Sequence, residues 1–418
     1  MTSILIIIIN MKVRNWLPAP AAMALLGVRP QTLYANVSRG RIRARPDPAD
    51  PRRSLYHGGD LRRLAGRARG RPRNEHVAQQ AVSWGAPILP SALSTVSGGR
   101  LWYRGRDAVE LAEHATLEEI AALLWELPQL QPLDLSRRWR GASPGRARGP
   151  RGRTRSRETP LQSAYRVLAQ QAGRDAPMQG RALPVLRLEG LTLVAELARA
   201  LLAPYRTLRR RHPRRAPLLL HQHLAEAWRR PAAAPILRRA LVLLADHELN
   251  TSTFATRVAA STGAALSASV LAGFATLSGP MHGGAAAALQ LLLDASQGAR
   301  ARQGITAWLA PGRGVAGFGH PLYPRGDVRA EALLRGLRLP PGLRALRSVG
   351  ERLFGEPANV DFALVALSIA HDLPRDAPFV LFALARSVGW IAHALEQHQS
   401  ASLLRPRARY SGPPLPQD

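Results

Sequence analysis

The segment Asp246-His247-Glu248-Leu249-Asn250-Thr251-Ser252-Thr253 interrupts the apolar sequence of the C-terminal half and sets how the flanking segments fold. The apolar stretch from Ile236 to Leu244 runs into it with spacings of three and four, which predicts a helix that ends here. Asn, Thr and Ser then supply caps for a second helix, because their side chains accept hydrogen bonds from free backbone N–H groups. A histidine and two acids therefore lie between two predicted helices.

Three further polar islands follow: Ser278–Ala285 and Gly317–Tyr323, each with a histidine and glycines, and Pro357–Phe362, with one acid. Glycine lets backbone approach a ligand closely, and three loop histidines with one acid favour proton-transfer chemistry. Taken singly, each has a structural alternative, since a histidine near a helix end is usually a cap or solvated, and an Asp before an apolar run is usually an N-cap. No pair has the spacing of a zinc site, so we predict no metal.

Arg386 is the only formally charged residue between Phe379 and Ala394, a run that otherwise predicts a buried helix. Burying a guanidinium is costly unless it is paired, so its partner is either an internal carboxylate or the acid group of a substrate. The segment Arg405–Tyr410 adds a second cationic cluster, for which a solvated tail is the structural alternative.

Composition narrows the class of protein. The 418 residues include 58 Lys plus Arg, 28 Asp plus Glu and no Cys, which gives a formal net charge of +30. The absence of Cys excludes a disulfide scaffold, a cysteine nucleophile and cysteine-ligated metals. A hydrophobic fraction of 46% is enough for a sizeable core. The charge favours anionic partners, without choosing among nucleic acid, acidic lipid and small carboxylates or phosphates.

The first residues carry an apolar run, Ile4–Ile9, that lacks a preceding basic region and is too short to span a bilayer. We expect Met11 rather than Met1 to be the true start. No later stretch reaches about 18 apolar residues free of charge, so we expect a cytoplasmic protein without membrane contact.

Residues 12–70 form a separate basic unit. Two short predicted helices, Ala21–Leu26 and Pro30–Val37, flank a turn at Gly27, and a predicted wing strand and third helix follow. The unit resembles the winged helix-turn-helix of the excisionase and MerR-like group, and such a domain places its second helix near DNA. The predicted DNA-contacting residues are Gln31, Thr32, Tyr34 and Arg39. The alternative is a small packing module with a solvated basic face.

A linker is predicted at 71–85, and residues 86–418 contain long apolar helical segments with little strand-like alternation. We therefore predict a mainly α fold for this part. Two arginine-rich segments, 137–157 and 206–215, interrupt it, and either polyanion binding or exposed loops account for their composition.

From about Ser91 to Tyr410 the chain resembles the citrate synthases. The resemblance is carried by the following motifs: Leu101–Asp107, Glu118–Trp125, Asp246–Arg257, Gly279–Ala285, Gly317–His320, Asn359–Asp361, Ala385–Trp390 and Arg405–Arg407. Residues 135–215 match poorly. The resemblance implies a two-domain helical fold, with the small subdomain at roughly 248–372, that closes over a cleft in a homodimer. It also implies condensation of acetyl-CoA or propionyl-CoA with oxaloacetate, giving citrate or 2-methylcitrate and CoA without a bound cofactor.

The resemblance also assigns roles to particular residues. Asp361 removes the proton next to the thioester, His247 donates a hydrogen bond to the thioester oxygen, and His282 protonates the carbonyl of the 2-oxo acid. The predicted substrate-binding residues are His320, Arg329, Arg386, Arg405 from the neighbouring subunit, and His221. A carboxylate can remove so weakly acidic a proton only where a preset donor meets the enolate charge, and arginine binds carboxylates through paired hydrogen bonds.

Asp327-Val328-Arg329 departs from the Asp-Pro-Arg of the family, and Arg325 adds a charge nearby. Two other functions stay open at this point. One is a transcriptional regulator that binds DNA and senses a metabolite through its synthase-like body, and the other is an inert dimerising scaffold. The acid and base set favours the enzyme.

Overall fold

The structure of the protein is a computed structural model. It describes residues 16–28, 30–48, 50–68, 88–127, 158–205, 218–295, 303–304, 317–408 and 412–413. The apolar N-terminal run with its start site, the linker at 71–85, and the arginine-rich segments at 137–157 and 206–215 lie outside the described residues.

The chain divides into two units. The small unit comprises Met1–Pro90 and Ala285–Ala370, and the large unit comprises Ser91–Gly284 and His371–Asp418. The prediction from sequence began the small subdomain near residue 248. That boundary stays a prediction. The helices between 251 and 277 pack on the long C-terminal helix of the large unit, where their apolar faces are buried.

The large unit is mainly helical, as the sequence predicted. Its strands are β4 (Ser94–Ser97), β5 (Arg100–Tyr103) and β6 (Arg106–Asp107), and its helices are α4 (Ala108–His114), α5 (Leu117–Leu124), α6 (Pro160–Ala172), α7 (Leu183–Leu202), α8 (Leu220–Ala227), α9 (Ala234–Leu244), α10 (Thr251–Ser261), α11 (Leu266–Leu277) and α16 (Ala377–Ser400). Short 3₁₀ turns at Ala203–Tyr205 and Pro231–Ala233 follow α7 and precede α9. The three strands form an antiparallel sheet in the order β4-β5-β6.

Helix α16 is the core of the large unit. It packs against α10, α11, α7, α9 and α5. Among the described residues it is also the helix long and apolar enough to span a bilayer, yet 94% of its most apolar 18-residue window is buried inside the protein. Its apolar surface is therefore accounted for by packing against neighbouring helices.

The small unit contains β1 (Trp16–Pro18), α1 (Ala19–Leu26), α2 (Pro30–Ser38), β2 (Ala44–Asp47), β3 (Asp50–His57), α3 (Gly58–Ala68), α12 (Ala285–Ala295), α13 (Val328–Leu334), α14 (Pro341–Phe354) and α15 (Val360–Ala370). The first three strands form an antiparallel sheet in the order β1-β3-β2. A local core of Leu17, Leu33, Ile42, Tyr56 and Leu61 holds residues 16–68 together, and we call this part the N-terminal module. A second core, between α12, α14 and α15, includes Leu289, Leu346 and Phe362.

Helices α1 and α2 are joined through Gly27, whose φ of +64° is a left-handed conformation that favours glycine at the end of a helix. Pro30 begins α2, where its missing N–H has no helical partner to lose. Local sequence therefore explains both ends of this turn.

Candidate functional site

Two of the predicted islands meet in the large unit, through a hydrogen bond between Ser252 and His282. Nε2 of His282 lies 2.9 Å from Oγ of Ser252. Asn250 caps α10 by accepting from the N–H groups of Ser252 and Thr253, each at 3.1 Å, which fixes the first turn that carries Ser252. The indole Nε1 of Trp390 donates to the same hydroxyl at 3.2 Å.

The loop that carries His247 is held by helix α16. Nε of Arg386 donates to the carbonyl of Leu244 at 3.0 Å, and the N–H of Gly389 donates to the carbonyl of Ala245 at 3.1 Å. A Cβ at position 389 would lie 2.4 Å from that carbonyl oxygen, so only glycine fits there. His247 itself is 5% exposed. The buried apolar helix and its single guanidinium therefore set the end of α9.

A buried carboxylate next to His247 is part of the same structure. Oδ2 of Asp246 accepts from Oγ of Ser94 at 2.5 Å and lies 3.1 Å from Nε2 of His393. Despite burial, the pKa of Asp246 lies below its usual range, because of the electrostatic interaction and hydrogen bond with His393, the positive charge of Arg386 and the hydrogen bond from Ser94. Sequence analysis offered an internal carboxylate or a substrate acid as the counter-charge for Arg386. Asp246 is an internal carboxylate, and the charge of Arg386 interacts with it and lowers its pKa.

His282 is a neutral imidazole at physiological pH. Burial, assisted by the positive charge of Arg386, lowers its pKa to about 4. Its ring packs edge-on against Phe382, with the ring centroids 5.8 Å apart. The ring is therefore fixed on both sides, by an aromatic face and by the hydroxyl of Ser252.

The other two islands meet in the small unit. The N–H of Gly319 donates to the carbonyl of Pro357 at 2.8 Å, and the N–H of Asn359 donates to the carbonyl of Gly317 at 2.9 Å. The side chain of Asn359 donates to the carbonyl of Gly319 at 3.0 Å and accepts from the N–H of Asp361 at 3.0 Å. One asparagine thus caps α15 and ties Asp361 to the loop that carries His320.

Asp361 and His320 both have shifted pKa values. Burial raises the pKa of Asp361 to about 6, with nearby Arg329 opposing the shift and Asp327 adding to it. Burial, with the charge of Arg329, lowers the pKa of His320 to about 4. The N–H of Leu322 donates to Nδ1 of His320 at 3.2 Å. The neutral ring therefore carries its proton on Nε2, and Nε2 is the nitrogen that can donate a hydrogen bond.

Arg329 is paired inside the small unit. It is 2% exposed, and its Nε and Nη2 atoms each donate to one oxygen of Asp327, both at 2.9 Å. The second of those oxygens also accepts from the N–H of Val360, next to Asp361. Asp327 thus links the guanidinium to the first residue of α15 through hydrogen bonds. The predicted contact of Arg329 with substrate stays a prediction.

The remaining predicted residues lie in other surroundings. His221 is 7% exposed on α8, and burial with the charge of Arg238 lowers its pKa to about 4. Arg405 is exposed on the extended segment after α16. The predicted DNA-contacting residues are all exposed on or just after α2: Gln31, Thr32, Tyr34 and Arg39.

The described residues contain no group of three or more His, Cys, Asp or Glu side chains that could hold a metal ion. They do contain a cavity of about 920 Å³ in the small unit, lined by Leu337, Arg338, Leu339, Arg344, Arg347, Ser348, Glu351 and Arg352. Glu351 pairs with Arg347 at 2.8 Å. The other guanidinium groups leave this cavity cationic, which suits an anionic ligand.

Several residues of the site were not singled out from sequence. Ser252 and Asn359 lie inside the quoted islands, but single polar residues at helix starts are usually plain caps. His393 lies seven residues, or about two turns, after Arg386, so a shared helix face was the available signal. Asp327 became significant only when its contacts with Arg329 and Val360 were seen.

Comparison with known proteins gives a consistent result. A family model described as "Citrate synthase, C-terminal domain" matches residues 82–407. The citrate synthase of Haloferax volcanii is 32% identical over 360 residues, covering 78% of this chain and 94% of that protein. The 2-methylcitrate synthase of Shewanella oneidensis is 31% identical over 360 residues, covering 77% and 92%. A citrate synthase structure from Thermoplasma acidophilum, a ternary complex with carboxymethyl coenzyme A and oxaloacetate, matches with a TM-score of 0.68 at 24% identity, covering 81% and 97%.

Proposed function

The chain belongs to the citrate synthase family, and on that premise we infer that it condenses an acyl-CoA thioester with oxaloacetate and releases CoA. The product is citrate from acetyl-CoA or 2-methylcitrate from propionyl-CoA, and relatives of both kinds match this chain to a similar degree. The observation that carries the proposal is the tie that Asn359 makes in the small unit, between the helix start that carries Asp361, a carboxylate of raised pKa, and the loop that carries the neutral imidazole of His320.

Asp361 is the proposed base. A general base works best with a pKa close to the operating pH, and a pKa of about 6 leaves Asp361 ionised at pH 7 to 8 while making it a stronger base than an ordinary carboxylate. It removes a proton from the acyl carbon next to the thioester, and the electron pair moves onto the thioester oxygen. The enolate carbon then attacks the keto carbon of oxaloacetate, whose oxygen takes the electron pair of the C=O bond and a proton. Water hydrolyses the resulting thioester, which gives the new carboxylate and releases CoA.

The imidazoles His282 and His320 are proposed as neutral hydrogen-bond donors to the oxygens that gain charge. From sequence, His282 was expected to protonate the carbonyl of the 2-oxo acid, and His247 was expected to donate a hydrogen bond to the thioester oxygen. A pKa of about 4 leaves almost no imidazolium at pH 7, so His282 is suited to donate a hydrogen bond as a neutral ring. We therefore propose His282 for the thioester oxygen, His320 for the keto oxygen, and buried His247 for binding oxaloacetate.

Ser252 fixes the orientation of the His282 ring. Its hydroxyl donates to Oδ1 of Asn250 at 2.7 Å and lies 2.9 Å from Nε2 of His282. Asn250 also accepts the backbone N–H groups of Ser252 and Thr253, so the hydroxyl is held at the start of α10. The contact therefore holds the imidazole in one orientation.

The cationic residues are proposed for the acid groups of the substrates. Arg386 and, from the neighbouring subunit of a homodimer, Arg405 bind the carboxylates of oxaloacetate. The arginine-lined cavity beside α14 suits the phosphates of CoA. Arg329 and His221 stay proposed as substrate-binding residues. We propose that the enzyme is cytoplasmic and needs no metal or other cofactor, so that activity survives dialysis against EDTA.

Thiol release measures this reaction directly. Because the chain has no Cys, a thiol reagent reports only the CoA that is set free. We expect release from acetyl-CoA or propionyl-CoA that depends on oxaloacetate, and a loss of about 10²- to 10⁴-fold in Asp361→Asn. Glu110→Gln, at an exposed ion pair with Arg100, is the matched control and keeps activity. No release from either thioester by the unaltered protein would overturn the proposal.

DNA binding by the N-terminal module is a second, separate proposal. It is favoured by α2, which buries Leu33 and turns Gln31, Thr32 and Tyr34 outward, with Tyr34 56% exposed. Electrophoretic shift of genomic fragments tests it, with affinity expected to fall steeply between 50 and 200 mM salt, as it does by about 10³- to 10⁵-fold for proteins making six to ten phosphate contacts. Absence of any shift at low salt would remove this proposal and leave the enzymatic one intact.

A further inference from the structure

The N-terminal module caps the end of helix α14, in the same unit as Asp361. The last carbonyls of a helix have no partner within it. Here Nη1 and Nη2 of Arg45 donate to the carbonyls of Arg352 and Leu353 at 3.1 and 3.3 Å. Nε1 of Trp16 donates to the carbonyl of Phe354 at 3.0 Å. Three consecutive carbonyls are thus satisfied by side chains that lie about 300 residues away in sequence.

The residues after this helix are shaped by the same contact. Gly355 has a φ of +64°, and a Cβ there would lie 2.8 Å from the ring of Trp16. The guanidinium of Arg45 lies 4.4 Å from the ring centroid of Trp16, a distance at which a cation is attracted to the ring face. The cation also lies at a helix C-terminus, where the helix dipole favours it. The turn at Gly355 is therefore fixed from outside.

His57 extends the contact to Glu356. Nε2 of His57 lies 2.7 Å from Oε1 of Glu356, and His57 is 3% exposed. On the other side of the ring, Nδ1 lies 2.8 Å from Nη2 of Arg43, 3.4 Å from the N–H of Asp60 and 3.3 Å from Oδ1 of Asp60. Because a carboxylate oxygen accepts, Nε2 carries a proton and donates it to Glu356. Asp60 in turn holds Arg43 at 2.9 Å.

Glu356 leads directly to the residues proposed to act on substrate. A Cβ at Gly319 would lie 3.1 Å from Cγ of Glu356, so the glutamate packs against the backbone just before His320. The next residue, Pro357, accepts from the N–H of Gly319, and Asn359 then caps the helix that begins with Val360 and Asp361. Glu356 therefore joins His57 to the backbone beside His320 directly, and to Asp361 through Pro357 and the Asn359 cap.

We propose that the N-terminal module braces the active site, with His57 and Glu356 as positioning residues for His320 and Asp361. The inference rests on the proposed function, because it names what keeps those two groups in place. Displacing a reacting group by about 1 Å can cost about 10²-fold in rate. The module thus has a role in the enzyme that is independent of any nucleic acid.

Full-length variants test the brace: His57→Ala, Glu356→Ala, the double variant and the conservative Glu356→Gln, whose amide oxygen still accepts from Nε2 of His57. We expect both alanine variants to lower kcat/KM for oxaloacetate about tenfold or more and to raise its Kd, measured by calorimetry. The double variant should be no worse than either single one, since both break one contact. Glu356→Gln should stay within about threefold of the unaltered protein.

Thermal unfolding and two controls separate positioning from loss of stability. Ser38→Ala removes a hydroxyl contact elsewhere in the module, and Glu110→Gln changes an exposed ion pair of the large unit. Both should keep kcat/KM. If His57→Ala fails to fold, the kcat/KM and Kd values of Glu356→Ala and Glu356→Gln test the same contact through its other residue.

The outcomes distinguish this inference from the proposed function. Unchanged kcat/KM and Kd in the alanine variants, or additive losses in the double variant, overturn the brace and leave the synthase standing. An unaltered protein that binds oxaloacetate without turnover overturns the synthase, while the Kd values still decide the brace. A protein that does not bind oxaloacetate overturns both.

Discussion

Nε2 of His282 lies 2.9 Å from Oγ of Ser252, although thirty residues separate them in sequence. The contact joins a glycine-rich loop to the first turn of α10, and Trp390 donates to the same hydroxyl. A short polar residue at a helix start thus fixes the orientation of the imidazole ring. The chemistry proposed for His282 depends on this neighbour.

Ser252→Ala should lower kcat about tenfold while leaving KM for oxaloacetate within about threefold, because the imidazole loses the partner that fixes its orientation. Steady-state thiol release at saturating substrate measures it. Ser368→Ala is the matched control, since it removes a buried hydroxyl that bonds the carbonyl of Leu364 within α15. Equal losses in the two variants would show that the effect is general to buried hydroxyls.

The rate should rise with pH through about 6, as Asp361 loses its proton and becomes the active base. His282 and His320, with pKa values of about 4, stay neutral above pH 5, so neither should change the rate between pH 5 and 8. A profile of kcat/KM for the acyl-CoA from pH 5 to 8 tests this. A flat profile over that range contradicts the assignment of the base.

Asp361 should also cost the protein stability at neutral pH. Its pKa in the folded protein lies above the value of 3.8 for an ordinary aspartate, so folding favours the protonated form. Stability therefore falls as pH rises from about 4 to about 6 and is constant above that range. Asp361→Asn should raise the free energy of unfolding at pH 8 by up to about 3 kcal/mol while activity is lost. Denaturant unfolding of this variant and of Asp372→Asn, an exposed control, measures the difference.

Breaking the pair of Asp327 and Arg329 should destabilise the small unit. Both side chains are at most 3% exposed, and removing one partner of a buried ion pair costs about 3 to 5 kcal/mol because the other charge is left buried. Asp327→Ala should therefore unfold at lower temperature than Arg329→Met combined with Asp327→Leu. A single variant with an unchanged Tm would show that the pair is dispensable.

Gly389→Ala should disturb the loop that carries His247. The new Cβ would lie 2.4 Å from the carbonyl oxygen of Ala245 and 2.5 Å from Oδ1 of Asp246, so the backbone must move. Overpacking of this kind costs about 1 to 3 kcal/mol. We expect a lower Tm and weaker oxaloacetate binding, whereas Gly173→Ala, whose Cβ has no contact under 3.6 Å, should be neutral. Unchanged Tm and binding in Gly389→Ala speak against a rigid loop.

The sequence predicted the helical class, the four islands and the isolated arginine of α16 because each depends on local pattern: apolar periodicity, capping residues and a charge in an apolar run. It did not predict which islands meet. Ser252 and His282, or Asn359 and Gly319, are brought together by packing of separate helices, which local pattern does not encode.

The contact of His57 with Glu356 was also absent from the sequence-based account. One residue ends a strand in the N-terminal module and the other follows a helix 299 residues later, and neither stands out by composition. Only their shared burial and the run of carbonyls beside them identify the interface.

The most direct test of Asp361 as the base is the exchange of acyl protons with solvent. Acetyl-CoA incubated in D₂O with the protein and a non-reacting analogue of oxaloacetate is followed by NMR of its methyl group. The unaltered protein should introduce deuterium at that carbon, and Asp361→Asn should do so at least about 10²-fold more slowly. Exchange at the same rate in both proteins would contradict the assignment of Asp361 as the group that removes the proton.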